Sequence, residues 1–546
     1  MESAVAARDG GLSIQDFKSG FLVFLIALPL CLGIALASGF PPVAGIVTAI
    51  IGGVVVSFLG SARLTIKGPA AGLIVIALGA VQELGQGDVF VGYRRALSVG
   101  VLAAGVQIVF ALVRAATVGV AMSPSVVHGM LAAIGVIIVS KQTHTMMGVV
   151  PAASEPLELL LEIPHSLARA NPEVLVLGAL SLIVLFGWPR LRFRWAKLIP
   201  APIVVLLLTV PLGLWFDFDH AHDYRLFAHT YHVGQELLVR LPGSLFDAVT
   251  FPDFSAALEP ASLKYVVMFA LVGTIESTLS VIAVDSLDPK KEASDLNRDL
   301  LALSIGNLLS ALVGGLPMIS EIVRSKANID AGARTRWSNF FHGACLLAFV
   351  ALLPGLLSEI PLAALAAMLV YTGVHLASPG ELVRVRRLGF DQLALFSITL
   401  VATLATDLLI GVGVGLALKF ALHLARGVSL RDLFRPKVHV ERRDDVLLVC
   451  VEGAATFMAL LPVRRALTVV SDSIREVRVD LSSTTLVDHT FLDRLESMSQ
   501  EWSQAKLVLS GLDAFRAASR HPQATRTRGA EPASGAQDPN RAPAPR

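Results

Sequence analysis

The chain has 546 residues, of which 54% are hydrophobic and only 16% charged, and its mean hydropathy of +0.67 excludes an ordinary soluble globular protein. A formal net charge of +2 gives no argument for a nucleic-acid partner. Cys31, Cys345 and Cys450 are scattered without the paired spacing of metal or redox sites, so they read as buried thiols and no cofactor is expected.

A helix needs ~20 mainly apolar residues to cross a bilayer, and sliding-window hydropathy finds about fourteen such segments, several short or broken. Only a short polar stretch precedes Phe17, with no basic region or small-residue cleavage site, so the first span is expected to be retained. The first half holds spans at 21–37, 43–59, 96–113, 126–140, 174–186 and 198–214. The second holds 264–284, 300–313, 341–353, 363–376, 392–406 and 411–424. In the third place of each half stands a segment broken at its start, Lys67-Gly68-Pro69-Ala70-Ala71-Gly72 and Gly314-Gly315-Leu316-Pro317-Met318-Ile319-Ser320-Glu321. Each lies roughly fifty residues after its half begins, and matched breaks of this kind point to a binding site between inverted repeats of a transporter.

Basic residues orient the spans, since cytoplasmic loops are enriched in Lys and Arg. Arg190, Arg192, Arg194 and Lys197 mark one loop, Lys290, Lys291 and Arg298 a second, Arg324 to Arg336 a third, and Arg384, Arg386 and Arg387 a fourth. All fall on one side if the N-terminus (1–16) is cytoplasmic. Repeats over 17–215 and 263–427 then flank an extracytoplasmic loop at 216–262, and both termini lie in the cytoplasm. A small α/β domain follows over 436–517, with strands expected at 438–440, 446–451, 477–481 and 506–509 and helices at 461–470 and 491–502. Residues 518–546 are rich in Pro, Ala, Arg and Gly without apolar periodicity and are expected to be disordered.

With these residues in view, the chain resembles the sulfate permease (SulP) family of anion transporters over nearly its whole length. The resemblance rests on Ala27-Leu28-Pro29-Leu30 with Ala37-Ser38-Gly39-Phe40-Pro41-Pro42-Val43-Ala44-Gly45, on Gly68-Pro69-Ala70-Ala71-Gly72, and on Glu276-Ser277. It rests also on Asn297-Arg298-Asp299-Leu300 leading to Gly314-Gly315-Leu316-Pro317 and Arg324-Ser325. The terminal domain is similar to a STAS domain, Val479-Asp480-Leu481-Ser482 leading to Val487-Asp488-His489-Thr490-Phe491-Leu492. There His489 and Phe491 depart from the small residues and Gly-Leu of the family pattern, which puts serine-type phosphoregulation in doubt, while Thr490 remains a possible phosphate acceptor. The resemblance implies seven plus seven inverted-repeat segments, a core domain moving against a gate domain, and a homodimer. It also implies that the third and tenth segments meet near the bilayer midplane with their amino ends toward a central anion.

The chemistry fits that implication. The first N–H groups of a helix lack intrahelical partners and carry about half a positive charge, so two facing helix starts form an anion site from backbone alone. Pro69 and Pro317 suit helix beginnings. Ala70, Ala71 and Gly72 are then expected to donate from one side and Ile319, Ser320 and Glu321 from the other, with the Ser320 hydroxyl adding a contact. A mere pair of helix breaks relieved by neighbouring helices is the plainer reading. Lys67 and Glu321 depart from the family pattern; Lys67 is expected either beside the anion or paired with Glu321, a structural ion pair being the alternative.

Glu276 stands in an apolar span, where a carboxylate is by default functional. In relatives the matching acidic residue is associated with sodium or proton coupling, and Ser280, one turn on, is placed to give an oxygen to a coupling cation. A protonated carboxyl bonded to a backbone carbonyl is the alternative. Arg324 is assigned a structural or electrostatic role near the site. His128 is expected to be a hydrogen-bonded core group rather than a functional one. His220, His222, His229 and His232 lack firm metal spacing, so no metal is expected. No Walker A sequence is present. The expectation is therefore a secondary active transporter of a small inorganic anion, bicarbonate or sulfate, and not an enzyme. A passive anion channel, a membrane sensor signalling through the terminal domain, a nucleobase permease and a dicarboxylate substrate are the competing readings.

Overall fold

The computed structural model describes residues 13–116, 123–153, 155–192, 199–226, 229–241, 247–290, 293–460, 462–463, 474–499 and 505–528. Arg194, Lys197 and Lys291 of the basic loops, and nearly all of the helix expected at 461–470, lie outside the described residues. The chain divides into two compact units, Met1–Glu381 with Phe396–Gly415, and Leu382–Leu395 with Leu416–Arg546.

Among the described residues the first half holds α1 (Ile14–Ala37), α2 (Pro42–Leu59), α3 (Ala71–Gly85), α4 (Val89–Leu112), α5 (Pro124–Met146), α6 (Pro172–Gly187) and α7 (Ala201–Trp215), with a further helix, Pro156–Ala168, between α5 and α6. The second holds α8 (Pro260–Leu287), α9 (Leu296–Leu312), α10 (Ile322–Asp330), α11 (Trp337–Leu352), α12 (Leu362–Leu376), α13 (Phe390–Ala405) and α14 (Leu408–Ala425), with shorter helices at Pro354–Ser358 and Pro379–Leu388. Eight helices among the described residues are long and apolar enough to cross a membrane, and α3, α7, α11 and α13 are shorter apolar helices.

Local chemistry sets many of these starts. The Asp88 and Asp295 side chains accept the first N–H groups of α4 and α9, and Asn171 does so for α6. Proline opens α2, α5, α6 and α8, where its missing N–H costs nothing.

Because apolar surface gains little from leaving one apolar medium for another, membrane helices associate through close packing of small residues. Helices α2 and α11 meet glycine to glycine: a Cβ on Gly53 would fall 2.6 Å from the Gly343 Cα, and one on Gly343 would fall 2.8 Å from the Gly53 Cα. Helices α5 and α12 repeat the device, Gly135 lying against the Gly373 carbonyl oxygen and Gly373 against that of Gly135. In each case a helix of one half is locked to a helix of the other.

Between α7 and α8 stands a hairpin of β2 (His222–Leu226) and β3 (His229–Val233). Tyr224 ties it down by donating to the Asn171 side chain at 2.8 Å. Two further strands, β1 (Ile66–Pro69) and β4 (Met318–Glu321), lie in the broken segments.

The second unit is built on a sheet of β5 (Lys437–Arg443), β6 (Val446–Ala455), β7 (Glu476–Asp480), β8 (Thr484–Val487), β9 (Lys506–Ser510), β10 (Phe515–Ala517) and β11 (Arg526–Arg528). The order is β10-β11-β8-β6-β7-β9, with β5 also paired to β6. Its core includes Leu447, Val449, Val451, Val477, Val479 and Phe491, the last from the helix His489–Ser499. The four expected strands are present. Strands β8, β10 and β11 were not expected, and β11 falls within the stretch read as disordered from residue 518. It is held by pairing to β10 and β8 and by the buried Ala524 and Thr525, contacts too few and too short in sequence to leave a periodic signal.

The same unit contains the end of α14. There the Lys419 ammonium, buried, lies 2.8 Å from Asp488 Oδ2 and donates to the Thr490 hydroxyl at 2.7 Å, over the Phe457 ring. Burial opposes ionisation of Asp488, yet Lys419 and the nearby His423 outweigh it and hold its carboxyl well below the usual carboxylate range.

Gly343→Val should force α2 and α11 apart. Overpacking of this kind costs about 1–3 kcal/mol, and the expected outcome is a lower thermal unfolding midpoint for the purified protein than for Ala at a lipid-facing position.

Candidate functional site

The two broken segments are joined. Strand β1 pairs antiparallel with β4, placing Lys67 opposite Ser320, Gly68 opposite Ile319 and Pro69 opposite Met318. Backbone that leaves a helix inside an apolar body must find other partners for its N–H and C=O groups, and a strand pair supplies them. The approach to β4 is pinned by side chains from two helices, α2 and α9. The Thr48 hydroxyl accepts the Leu316 N–H at 2.7 Å, Ser310 donates to the Leu316 carbonyl at 2.9 Å, and Asn307 accepts the Met318 N–H at 2.7 Å. Asn307 in turn donates to Gln107 of α4 at 3.0 Å.

This pairing corrects the expected register of the helix starts. Pro69 ends a strand; Ala70 is extended, with φ −87° and ψ 121°, and the helix begins with a tight turn over Ala71–Leu73. Pro317 likewise precedes β4, and α10 begins only at Ile322, with Glu321 as its cap residue. The helix-end donors are thus Ala71 and Gly72 on one side, the Leu73 N–H being taken by the Ala70 carbonyl, and Ile322, Val323 and Arg324 on the other. Ile319 and Ser320 belong to the strand, and the Ser320 N–H reaches the Ser277 hydroxyl at 3.3 Å. A proline that could open a helix opened neither, because the short runs beside it satisfy each other first.

Lys67 is also corrected. It does not pair with Glu321; its ammonium lies 2.6 Å from Asp299 Oδ2 and donates to the Ser320 hydroxyl at 2.7 Å, with both charged side chains almost wholly buried. Asp299 accepts the Ala62 N–H through its other oxygen at 3.1 Å. Asp299 stands in the Asn297-Arg298-Asp299-Leu300 motif, and its place in the first turn of α9, at the head of a largely apolar helix, is the signal the sequence carries for it.

Glu276 of α8 lies against the start of α3. A methyl group on Gly72 would fall 1.8 Å from Glu276 Oε1, so only glycine permits this approach. Both Glu276 oxygens are buried and, among the described residues, take no hydrogen bond. Ser277 donates to the Ser320 hydroxyl at 3.2 Å, joining α8 to β4. Ser280, one turn beyond Glu276, is buried on the same helix.

Arg324 is buried and donates to the Cys31 sulfur of α1 at 3.6 Å. A Cβ on Gly68 would fall 2.6 Å from its Nη1, so the glycine in β1 makes room for this guanidinium. Glu321 Oε1 and both ring nitrogens of His342 in α11 are buried without a hydrogen bond among the described residues. His342 carried no sequence signal beyond being a polar residue in an apolar span.

Other candidates lie elsewhere. His128 approaches Glu381 at 3.0 Å. The loop histidines make separate local contacts, His220 with Asp217 and His232 with Asp223, each at 2.7 Å, and these neighbours raise both imidazoles above their ordinary range. No group of three metal-ligating side chains occurs among the described residues. Cys31 is buried, whereas Cys345 and Cys450 are only half-buried.

Two short helices whose starts are joined by a strand pair, with the Ser277 and Ser320 hydroxyls and the Glu276 carboxylate beside them, are the discontinuous segments of a membrane transporter. The chain belongs to the sulfate permease family, whose model matches residues 14–399. It is 26% identical over 436 residues to the bicarbonate transporter BicA of Synechocystis, covering 80% of this chain and 73% of that one. The structure of the transmembrane domain of a cyanobacterial BicA superposes with a TM-score of 0.62 at 25% identity, covering 73% of this chain and 97% of that one. The murine anion transporter Slc26a9 in its inward-facing state superposes with a TM-score of 0.66 over 91% of this chain and 85% of that one; at 15% identity it shows the shared fold, and the C-terminal sheet is consistent with a STAS domain.

A buried ion pair is strongly destabilising to break from one side, by about 3–5 kcal/mol, while replacing both partners with apolar groups is often neutral. Lys67→Met and Asp299→Leu should therefore each lower the thermal unfolding midpoint, and the double variant should recover most of the loss.

Proposed function

We propose that the chain is a secondary active transporter of a small inorganic anion, working by alternating access in the cytoplasmic membrane with both termini in the cytoplasm. The observation that carries this reading is the β1–β4 pairing, which sets the starts of α3 and α10 around one point and brings Glu276 to Gly72. An anion there takes N–H donors and the positive ends of two short helices. Substrate-binding roles fall to the N–H groups of Ala71 and Gly72 at the start of α3 and of Ile322 and Val323 at the start of α10, with Lys67 acting through Ser320 and Asp299. Pro69, Pro317 and Arg324 shape the site and its field.

Bicarbonate is favoured over sulfate. Lys67 was the residue that would have suited a divalent anion, and its charge is offset by Asp299 at 2.6 Å. What remains is a pair of helix starts beside Arg324, Glu276 and Glu321, without a free lysine to offset a second negative charge, which suits a singly charged anion. The named activity of the cyanobacterial relatives points the same way, and the family's name keeps sulfate as the second candidate.

Glu276 is the proposed coupling group, with Ser280 beside it. A buried carboxylate without hydrogen bonds calls for a proton or a cation, and sodium or a proton arriving with the anion would supply it. Alternating access is supported by a polar contact on the face opposite the basic loops. Lys264 of α8 lies 3.3 Å from Glu83 of α3 and 3.9 Å from Asp407 in the turn between α13 and α14. Opening that face would separate Lys264 from Asp407. The assembly proposed is a homodimer, as the family resemblance implies.

The test is uptake of labelled bicarbonate and labelled sulfate into proteoliposomes under imposed sodium or proton gradients. Gradient-driven accumulation of one anion is expected; voltage-driven flux that ignores both gradients would establish a channel instead, and no flux of either by folded protein would favour a sensory role. Glu276→Gln should abolish the gradient dependence while leaving exchange of the anion measurable. Gly72→Ala drives a methyl into the Glu276 carboxylate and should cut uptake by more than about tenfold, as displacements near 1 Å at a reacting or binding centre do, with the protein still monodisperse.

A further inference from the structure

At the basic turns, just before β1 in the chain, lies a cavity of about 200 Å³ lined by Arg63, Arg298 and Arg336 together with Asp285, Asp288 and Ser294. The three arginines come from separate elements: the turn after α2, the first turn of α9, and the residue before α11. Nothing in the carrier reading uses them.

Their surroundings are built and fixed. Asp285 accepts both the N–H and the hydroxyl of Ser294 at 2.8 Å, and Asp288 accepts the Lys290 N–H at 2.9 Å, so these carboxylates hold the wall of the cavity. The Ser61 hydroxyl donates to the Asp295 carbonyl at 2.8 Å, and Arg336 donates to the Phe58 carbonyl at 3.2 Å. The arginines are close enough to repel one another: burial first, then the charges of Arg63 and Arg298, lower the pKa of Arg336 below its ordinary value. Three guanidinium groups gathered on a polar cavity leave a local excess of positive charge over the two carboxylates. Their planar forks match the oxygens of a phosphate or similar group.

We propose that this cavity is a second anion site, which binds a tetrahedral oxyanion group through Arg63, Arg298 and Arg336. The group is either free inorganic phosphate or the phosphate of an anionic lipid headgroup; both present the same oxygens to the same forks. The site is linked to the helix breaks by one step. Arg298 precedes Asp299, and Ala62, next to Arg63, donates its N–H to that carboxylate at 3.1 Å. Occupancy of the cavity therefore bears on the turn that holds the partner of Lys67.

The full-length protein, delipidated in detergent, is titrated with inorganic phosphate by calorimetry, and native mass spectrometry reads the anionic phospholipid it retains before delipidation. Both are repeated on Arg298→Gln and on Arg63→Gln with Arg298→Gln. Arg298 and Arg63 are exposed, so the variants should fold, as a monodisperse size-exclusion peak would verify. A loss of phosphate affinity of about tenfold or more, the scale expected for a lost charge-assisted fork, supports the free-anion source. Loss of retained anionic phospholipid at unchanged phosphate affinity supports the lipid source. Phosphate affinity and lipid retention that are both absent, or both unchanged in the variants, overturn the proposal, whatever the uptake assay shows for the central site.

Discussion

Peptide groups that leave the helix inside an apolar body have nowhere to turn for hydrogen bonds except to each other or to side chains placed for them. Here two such stretches, distant in sequence, pair as β1 and β4, and nearly everything at the centre follows from that register. It sets Lys67 beside Ser320, it fixes where α3 and α10 begin, and it requires Thr48, Ser310 and Asn307 to hold the approach. The pairing also explains why glycine recurs around it. Gly68 yields to Arg324 and Gly72 to Glu276, so two charged side chains reach the backbone there.

The electrostatic character of the centre is set by what is cancelled as much as by what is present. Lys67 and Asp299 form a closed pair in which each buried charge has its counterpart within hydrogen-bond distance. That pair contributes position rather than net field. It leaves backbone dipoles, Arg324 and the carboxylates of Glu276 and Glu321 to shape the potential, an arrangement in which small changes of protonation or cation occupancy matter more than they would beside a free lysine.

Much of the fold was legible because its main signal is apolar length. The fourteen segments, the two matched breaks and the long loop between halves follow from hydropathy and from the placing of Gly, Pro, Lys and Arg. The resemblance to a family added the inverted repeat. The misreadings share a cause: they depended on which partner a residue finds across the fold. Pro69 satisfies the rule for a helix start, but β4, some 250 residues on by numbering alone, makes the segment a strand. Lys67 had a nearby carboxylate in Glu321 by argument and a nearer one in Asp299 by packing. His342 and the short strands β8, β10 and β11 had no periodicity to announce them. Glu276, which the fold sets against Gly72, stands out in the sequence because a carboxylate in an apolar span is conspicuous on its own.

The charged cluster at the end of α14 has a consequence for how the two parts of the gene product depend on one another. Lys419 and His423 project from a helix that otherwise reads as a membrane span, and their counter-charge, Asp488, is supplied by the sheet domain far along the chain. A chain ending after the last helix would carry a bare ammonium on an apolar stem, next to an imidazole and with no acid to answer it. The terminal domain is in this respect a piece of the helix's own solvent, and a truncation that looks clean in sequence would remove the environment that lets the final span end where it does.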